Sequence, residues 1–248
     1  MIIDLSAEAL AYGQSARAAL EGAAPGGDVM PVLDKLGAWD LEPLADSDDL
    51  EAAAALCRAA GYCDIAYPVA ERLAPSPDVA ALATQPGGRA AALGLVLACW
   101  TLLGLLDRAI DLAVAHVQAR EQFGQPLAAF QGVQFQLTEA EVERAGLDVL
   151  AKYALWSVQS ASREAVDDAL ALRMAALEAA EVTFRVAHQV HGAMGFCDES
   201  PLSWLSRHSQ PLRRHPLGLS ATRALLTRRI GRRGLTGLFS EEPPDGRV

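Results

Sequence analysis

The chain has 248 residues, about half of them hydrophobic, and carries 31 acidic against 21 basic side chains for a formal net charge of −10. That length supports one substantial core or two small ones. The acidic balance argues against a nucleic-acid partner, because phosphate binding needs clustered Lys and Arg.

Cys57, Cys63, Cys99 and Cys197 form neither a CxxC pair nor a zinc spacing. They read as reduced, mostly buried thiols of a cytoplasmic protein, not as a disulfide framework. The N-terminus, MIIDLSAEAL, lacks the basic region and apolar stretch of a signal peptide. Low aromatic content and abundant alanine favour helices.

In chain order, Ser6 is placed to cap a helix that ends at Gly22. A turn (APGGD) and a short helix with a Gly break (DVMPVLDKLGAWD) follow. Asp46 to Asp49 are candidate caps for LEAAAALCRAAG, with Gly61 as its C-terminal glycine. DIAYPVAERL gives one more short segment. Residues 1–73 thus form an N-terminal helical region, and 74–88, rich in Pro, Gly and small residues, form a linker.

A C-terminal helical bundle is expected over 89–235. Its first helix runs from Arg89 to about Arg120 and opens on the apolar run AAALGLVLACWTLLGLL. That run is at the lower edge of membrane-spanning length. It continues into the amphipathic RAIDLAVAHVQAR, so it reads as a buried core helix and no membrane is implied. Two more long helices are expected over Gln131–Ser160 and Arg163–Met194, then a shorter pair near Pro201–Ser209 and Leu217–Arg232. Helices of about 30 residues, about 45 Å long, suit an antiparallel bundle. Residues 236–248 read as a disordered tail. No period-2 alternation persists, so the fold class is all-α, with no sheet of three or more strands.

Generic catalytic motifs are absent. His188 and His191 share a helix face, but no third ligand is placed beside them, so structural or partner-contact roles are favoured and no metal is expected. The informative stretch is Arg120-Glu121-Gln122-Phe123-Gly124-Gln125-Pro126-Leu127, followed by Phe130-Gln131. It resembles the R-x-x-F-G-x-x-[LI]-x-x-[FY]-Q signature of the acyl-CoA dehydrogenase family, where it joins two long helices of the C-terminal domain. A second stretch, Gln189-Val190-His191-Gly192-Ala193-Met194-Gly195-Phe196, resembles the family's Q-x-x-G-G-x-G-[FY]. The resemblance covers about residues 89 to 232 and is weaker in the N-terminal helices.

The resemblance implies that this domain makes subunit contacts and binds the adenine-dinucleotide half of FAD across the interface. Arg120 would pair with the pyrophosphate through its planar, permanently charged fork. Phe123 would pack near the dinucleotide, Gln131 and Gln189 would hydrogen-bond to it, and Gly192 would allow close backbone approach. Ala193 stands where the family usually has a second Gly, which sets that contact apart from the pattern.

The chain departs from the family in two further ways. The middle β-domain, which covers the flavin ring, is missing. The catalytic carboxylate is missing too: Leu212 to Leu219, at the position of the family's Y-E-G-T-like turn, contains no acid, and neither does Arg89–Leu106, the alternative position. No catalytic residue is therefore expected here.

The reading is a non-catalytic subunit, inactive alone, of a heteromeric FAD-dependent acyl-CoA dehydrogenase that desaturates a steroid- or lipid-derived acyl-CoA. FAD would be shared with a full-length partner in an α2β2 assembly, with acyl-CoA held mainly by that partner. Some actinobacterial members resemble this arrangement. The alternatives are a non-enzymatic scaffold or dimerisation module, and a self-sufficient enzyme using His215, Asp107 or Glu139.

Overall fold

Ser6 starts the first helix as its sequence suggests. Its hydroxyl accepts from the amide of Ala9, and α1 runs Ala7–Glu21. Asp46 likewise caps α3 (Ser47–Tyr62) by accepting from the amides of Asp48 and Asp49. Between them lies α2 (Met30–Lys35). The computed structural model describes residues 3–22, 28–84 and 88–233; the expected tail over 236–248 lies outside these. Short helices α4 (Val69–Leu73) and α5 (Val79–Thr84) precede α6 (Arg89–Ala119), α7 (Gln131–Gln159), α8 (Ala165–His191), α9 (Pro201–Arg214) and α10 (Leu219–Arg233). The fold is all-α and the middle β-domain is not present. Among the described residues the only strands are β1 (Glu121–Gln122) and β2 (Gln125–Pro126), a two-residue antiparallel pair between α6 and α7.

Two contacts fix the directions of the long helices. Arg89, at the start of α6, donates to the carbonyl of Val158 at the end of α7, so α6 and α7 are antiparallel. The His116 and His191 rings, near the C-terminal ends of α6 and α8, stack at 4.3 Å, so those two helices run parallel. One end of the bundle therefore gathers the end of α6, the start of α7 and the end of α8.

The apolar run at the start of α6 is core. Trp100, Leu93, Leu95, Leu97, Leu102 and Leu103 are buried. Helix α6 is the one described helix apolar and long enough to cross a membrane, yet 72% of its most apolar window is buried inside the protein. Cys57 and Cys99 lie in this core, where burial pushes their thiols up to about 12 and about 11. All four cysteines are free.

The core is continuous from Leu5 to Leu226, so the N-terminal helices and the bundle share it. The segment expected as a linker is partly built into it. Leu82 of α5 is fully buried, and its carbonyl accepts from Arg229 at 2.5 Å. Arg229 is itself paired with Asp167.

Gly61 does not end α3, which continues to Tyr62 with Cys63 as its cap. It is there for packing. A Cβ on Gly61 would sit 2.0 Å from the carbonyl oxygen of Thr101 on α6, and one on Gly104 of α6 would sit 2.0 Å from the carbonyl oxygen of Arg58 on α3. The two helices cross backbone to backbone through this pair. Helix α9 also differs from expectation: it continues past Ser209 with Pro211 inside it, to Arg214.

The crossing is flanked by an ionic network. Arg58 of α3 donates to Asp107 of α6 at 2.7 Å and to Asp148 of α7 at 2.6 Å; Arg144 also reaches Asp107, and Lys152 bridges Asp148 and Asp4. Burial pushes the Asp148 carboxyl up, but its bond from Lys152 and the charge of Arg58 outweigh it, and the group is held below its usual range.

Two predictions arise here. Gly104→Ala should destabilise the protein by about 2 kcal/mol or more, since backbone cannot yield as a side chain can. Gly146→Ala, on a face where nothing lies within 4 Å, should be neutral or stabilising by up to about 1 kcal/mol; thermal unfolding separates the two. Because the Asp148 carboxyl is depressed on folding, its contribution is present above the ordinary carboxylate range and lost as pH falls through it. Asp148→Asn should therefore flatten the fall in melting temperature between about pH 5 and pH 3, and an unchanged slope would remove Asp148 from the network's acid response.

Candidate functional site

The five residues singled out by the sequence converge on one end of the bundle. Arg120 caps the C-terminus of α6 in extended conformation. Phe123 sits at the tip of the β1–β2 hairpin, Gln131 is the first residue of α7, Gln189 lies in the last turn of α8, and Gly192 caps that helix. The His116–His191 stack clamps α6 and α8 together directly beneath them. All five are exposed.

The hairpin shows why a short sequence can present an aromatic ring outward. Phe123 and Gly124 both have positive φ, +53° and +81°, between strands that pair Gln122 with Gln125. That is the backbone of a two-residue primed turn, for which Asn-Gly is the usual pair. Phenylalanine in this region costs about 1–2 kcal/mol, and the Phe123 ring is 91% exposed. Its intramolecular ring contact is an edge-on one to Phe130 at 6.2 Å. The fold thus carries both backbone strain and an unburied ring at one residue, a combination that marks functional sites.

The polar features at this end suit an anion. Helix α7 begins at Gln131 with no side-chain cap; the amides of Val133 and Gln134 bond to the Phe130 carbonyl, which leaves those of Gln131 and Gly132 and the positive end of a 29-residue helix at this end. Arg120 is exposed beside it and has no carboxylate within ion-pair distance among the described residues. Gly192 has φ +60° and ψ −142°, a backbone setting nearly reserved for glycine, and a Cβ there would meet nothing within 4 Å. Ala193 is exposed. The residues present therefore fit a pyrophosphate-bearing ligand.

Sequence reasoning missed His116. Its ring packs on His191, whose Nδ1 bonds to the Ala187 carbonyl at 2.8 Å. Burial, then His191 and Arg120, push the His116 imidazole below its usual value; burial and His191 do the same to His188. His188 stacks on Phe196 at 4.5 Å. The histidines are ring packing for the helix ends, and no metal-binding group occurs among the described residues.

At the opposite end, the turn after α9 is held from below by Arg173. This guanidinium is 1% exposed and donates to the carbonyls of Leu212, His215 and Leu217. No Asp or Glu occurs between Glu199 and Glu241, so this turn has no carboxylate of its own. His215 is exposed. The acids considered as substitutes are engaged elsewhere: Asp107 in the ionic network, and Glu139 with Arg185 of α8 at 2.9 Å.

The model of the acyl-CoA dehydrogenase C-terminal domain matches residues 92–216, half of the chain. The chain belongs to the acyl-CoA dehydrogenase family. It is 33% identical over 110 residues to the 3-sulfinopropanoyl-CoA desulfinase of Paraburkholderia xenovorans (strain LB400), covering 44% of this chain and 27% of that protein. It is 34% identical over 107 residues to the acyl-CoA dehydrogenase FadE27 of Mycobacterium tuberculosis (strain ATCC 25618 / H37Rv), covering 40% of this chain and 29% of that protein. The chain thus matches less than a third of the length of either relative. Among solved structures, butyryl-CoA dehydrogenase from Megasphaera elsdenii overlays with a TM-score of 0.55 at 21% identity, covering 59% of this chain and 38% of that one, a likeness of fold.

Phe123→Asn should relieve the turn without loss of buried contacts. We expect stabilisation by about 0.5–1 kcal/mol, read as a raised melting temperature. Destabilisation would show that the ring is held by contacts within the chain.

Proposed function

We propose that this chain is the base-less subunit of a heteromeric FAD-dependent acyl-CoA dehydrogenase. It lends the dinucleotide half of the flavin cradle to a full-length partner subunit that holds the acyl-CoA and the catalytic carboxylate. The observation that carries this reading is the gathering of Arg120, Phe123, Gln131, Gln189 and Gly192 at one exposed bundle end, on a chain whose α9–α10 turn has no acid.

A second feature supports the partner. Phe135, Val142 and Val149 of α7 are 64%, 62% and 56% exposed. Spaced by seven, they form one stripe along the helix, and Gln131 lies four residues before Phe135 on the same side. Gly146 on that face leaves open space. An apolar stripe that runs into the cofactor end suits an interface across which a cofactor is shared. α2β2 is the stoichiometry proposed, and the acyl group a bulky steroid- or lipid-derived one.

When bound, FAD supplies the acceptor for the hydride that leaves the β-carbon of the thioester. The α-proton goes to the partner's carboxylate. This chain binds and orients. Arg120 and the start of α7 hold the pyrophosphate by charge and amide donation, Gln131 and Gln189 fix its oxygens, and Phe123 covers the dinucleotide. Gly192 lets the backbone approach.

Co-expression with a full-length family subunit should give a yellow complex, and the chain alone a colourless protein. In the complex, Arg120→Ala should weaken FAD binding about tenfold to a hundredfold, the loss of one charge-assisted contact, while the subunits stay assembled by size-exclusion chromatography. His215→Ala should leave turnover intact. Full flavin in Arg120→Ala together with lost turnover in His215→Ala would sink the reading in favour of a self-contained site. A colourless complex would leave the chain a scaffold.

A further inference from the structure

A cavity of about 1150 Å³ opens where the N-terminal helices meet the bundle, on the side of α6 away from α7. Its lining comes from the end of α1, the residues before α2, the end of α3 with the loop after it, α6 and α9. Its floor is the second half of α6, with Arg108 and Leu112. One wall is the end of α3 and the loop after it, with Tyr62, Ile65 and Tyr67. The other is α9, with Trp204, Leu205 and His208. None of its lining residues has a part in the function proposed above.

We propose that this cavity is a binding site for a small amphipathic carboxylate: an apolar body carrying one anionic head. The body follows from the lining. Leu112, Ile65 and Leu205 are aliphatic, and Tyr62, Tyr67 and Trp204 add ring faces. Such a lining with few convergent polar groups is the usual make-up of a small-molecule site.

The head follows from the charges. Three carboxylates reach the cavity, and each has a partner. Glu21 pairs with Arg17 at 3.1 Å, Asp28 accepts from the amide of Met30 at 3.0 Å, and Asp64 pairs with Nδ1 of His208 at 2.9 Å. Arg108 is different. It is half-buried, stacks near the Tyr62 ring at 5.3 Å, and its hydrogen bond among the described residues is a long one, 3.4 Å, to the Tyr62 hydroxyl. That hydroxyl is already committed as donor to Asp111 at 2.6 Å. A guanidinium has five donors in a fixed fork that matches a carboxylate. On this floor most of that capacity is unspent among the described residues, and the cavity's own carboxylates are bonded to other donors.

The Asp64–His208 pair sets the width of the cavity. Asp64 has φ +53°, a left-handed setting that costs a non-glycine residue energy. This turn carries the carboxylate across to α9, so the pair ties the two walls together beside the mouth. Burial, only partly offset by the bond from His208, holds the Asp64 carboxyl above its usual range.

The test uses the full-length chain and two probes of equal length and opposite charge, decanoate and decylammonium, titrated by isothermal calorimetry at pH 7. Decanoate should bind saturably at one site and decylammonium at least about tenfold more weakly. Arg108→Gln should lower decanoate affinity about tenfold or more and erase the preference. Leu112→Trp, which puts a bulky ring on the floor beside Arg108, should weaken binding of both about tenfold or more while circular dichroism and melting temperature report a folded chain. If Leu112→Trp unfolds, Leu205→Trp from the opposite wall replaces it. Equal binding of the two probes, decanoate affinity unchanged in Arg108→Gln, or no saturable binding would each overturn the proposal. None of these outcomes depends on flavin or on a partner subunit, so the proposed function stands or falls separately.

Discussion

The arrangement of the whole chain depends on the backbone crossing of α3 and α6 at Gly61 and Gly104. Neither position has room for a single methyl group. The closeness seats Leu50, Leu56 and Cys57 of α3 against the apolar first half of α6, which joins the N-terminal helices and the bundle into one core. It also brings Arg58 within reach of Asp107 and Asp148. Such partly exposed pairs stabilise little one by one, but linked across three helices they fix the register in which α3, α6 and α7 meet. The cavity beside Arg108 is the space left where the same two helices diverge from α9.

The two ends of the bundle are treated in opposite ways. Around the α9–α10 turn, carbonyl oxygens are gathered onto one buried arginine, Arg173, and α5 is drawn in by Leu82 and the Arg229 bond. This segment covers apolar residues of α6 there. Gly94 marks how closely this segment lies: a Cβ on it would meet the carbonyl oxygen of Pro75 at 2.5 Å. At the other end nothing is drawn in. The Phe123 ring, the Arg120 side chain and the first amides of α7 all face outward, and the turn that holds Phe123 is strained.

This contrast bears on how family membership is used. Of the relatives matched, one is named a dehydrogenase and another a desulfinase, so membership alone does not choose a reaction. The proposed reading rests instead on the residues: charge, amide and ring gathered at the hairpin end, and no carboxylate at the α9–α10 turn. Asp107 and Glu139 are both ion-paired within the chain.

The sequence by itself determined the helices and the family. Caps at Ser6 and Asp46 act locally, a long apolar run can only be core or membrane, and the Arg120–Gln131 stretch carries its spacing in the chain. Tertiary structure alone decided what distant residues do to each other. Gly61 read as a helix terminator because a glycine near a helix end usually is one; its need for close approach exists only once α6 lies across it. His116 gave no signal because its partner is 75 positions away. Residues 74–88 read as a linker on composition, and only the fold supplies the buried site for Leu82. The cavity over Arg108 is likewise a product of several elements that share no local pattern, and an arginine's unspent donors can be recognised only when the neighbours that could accept them are in place.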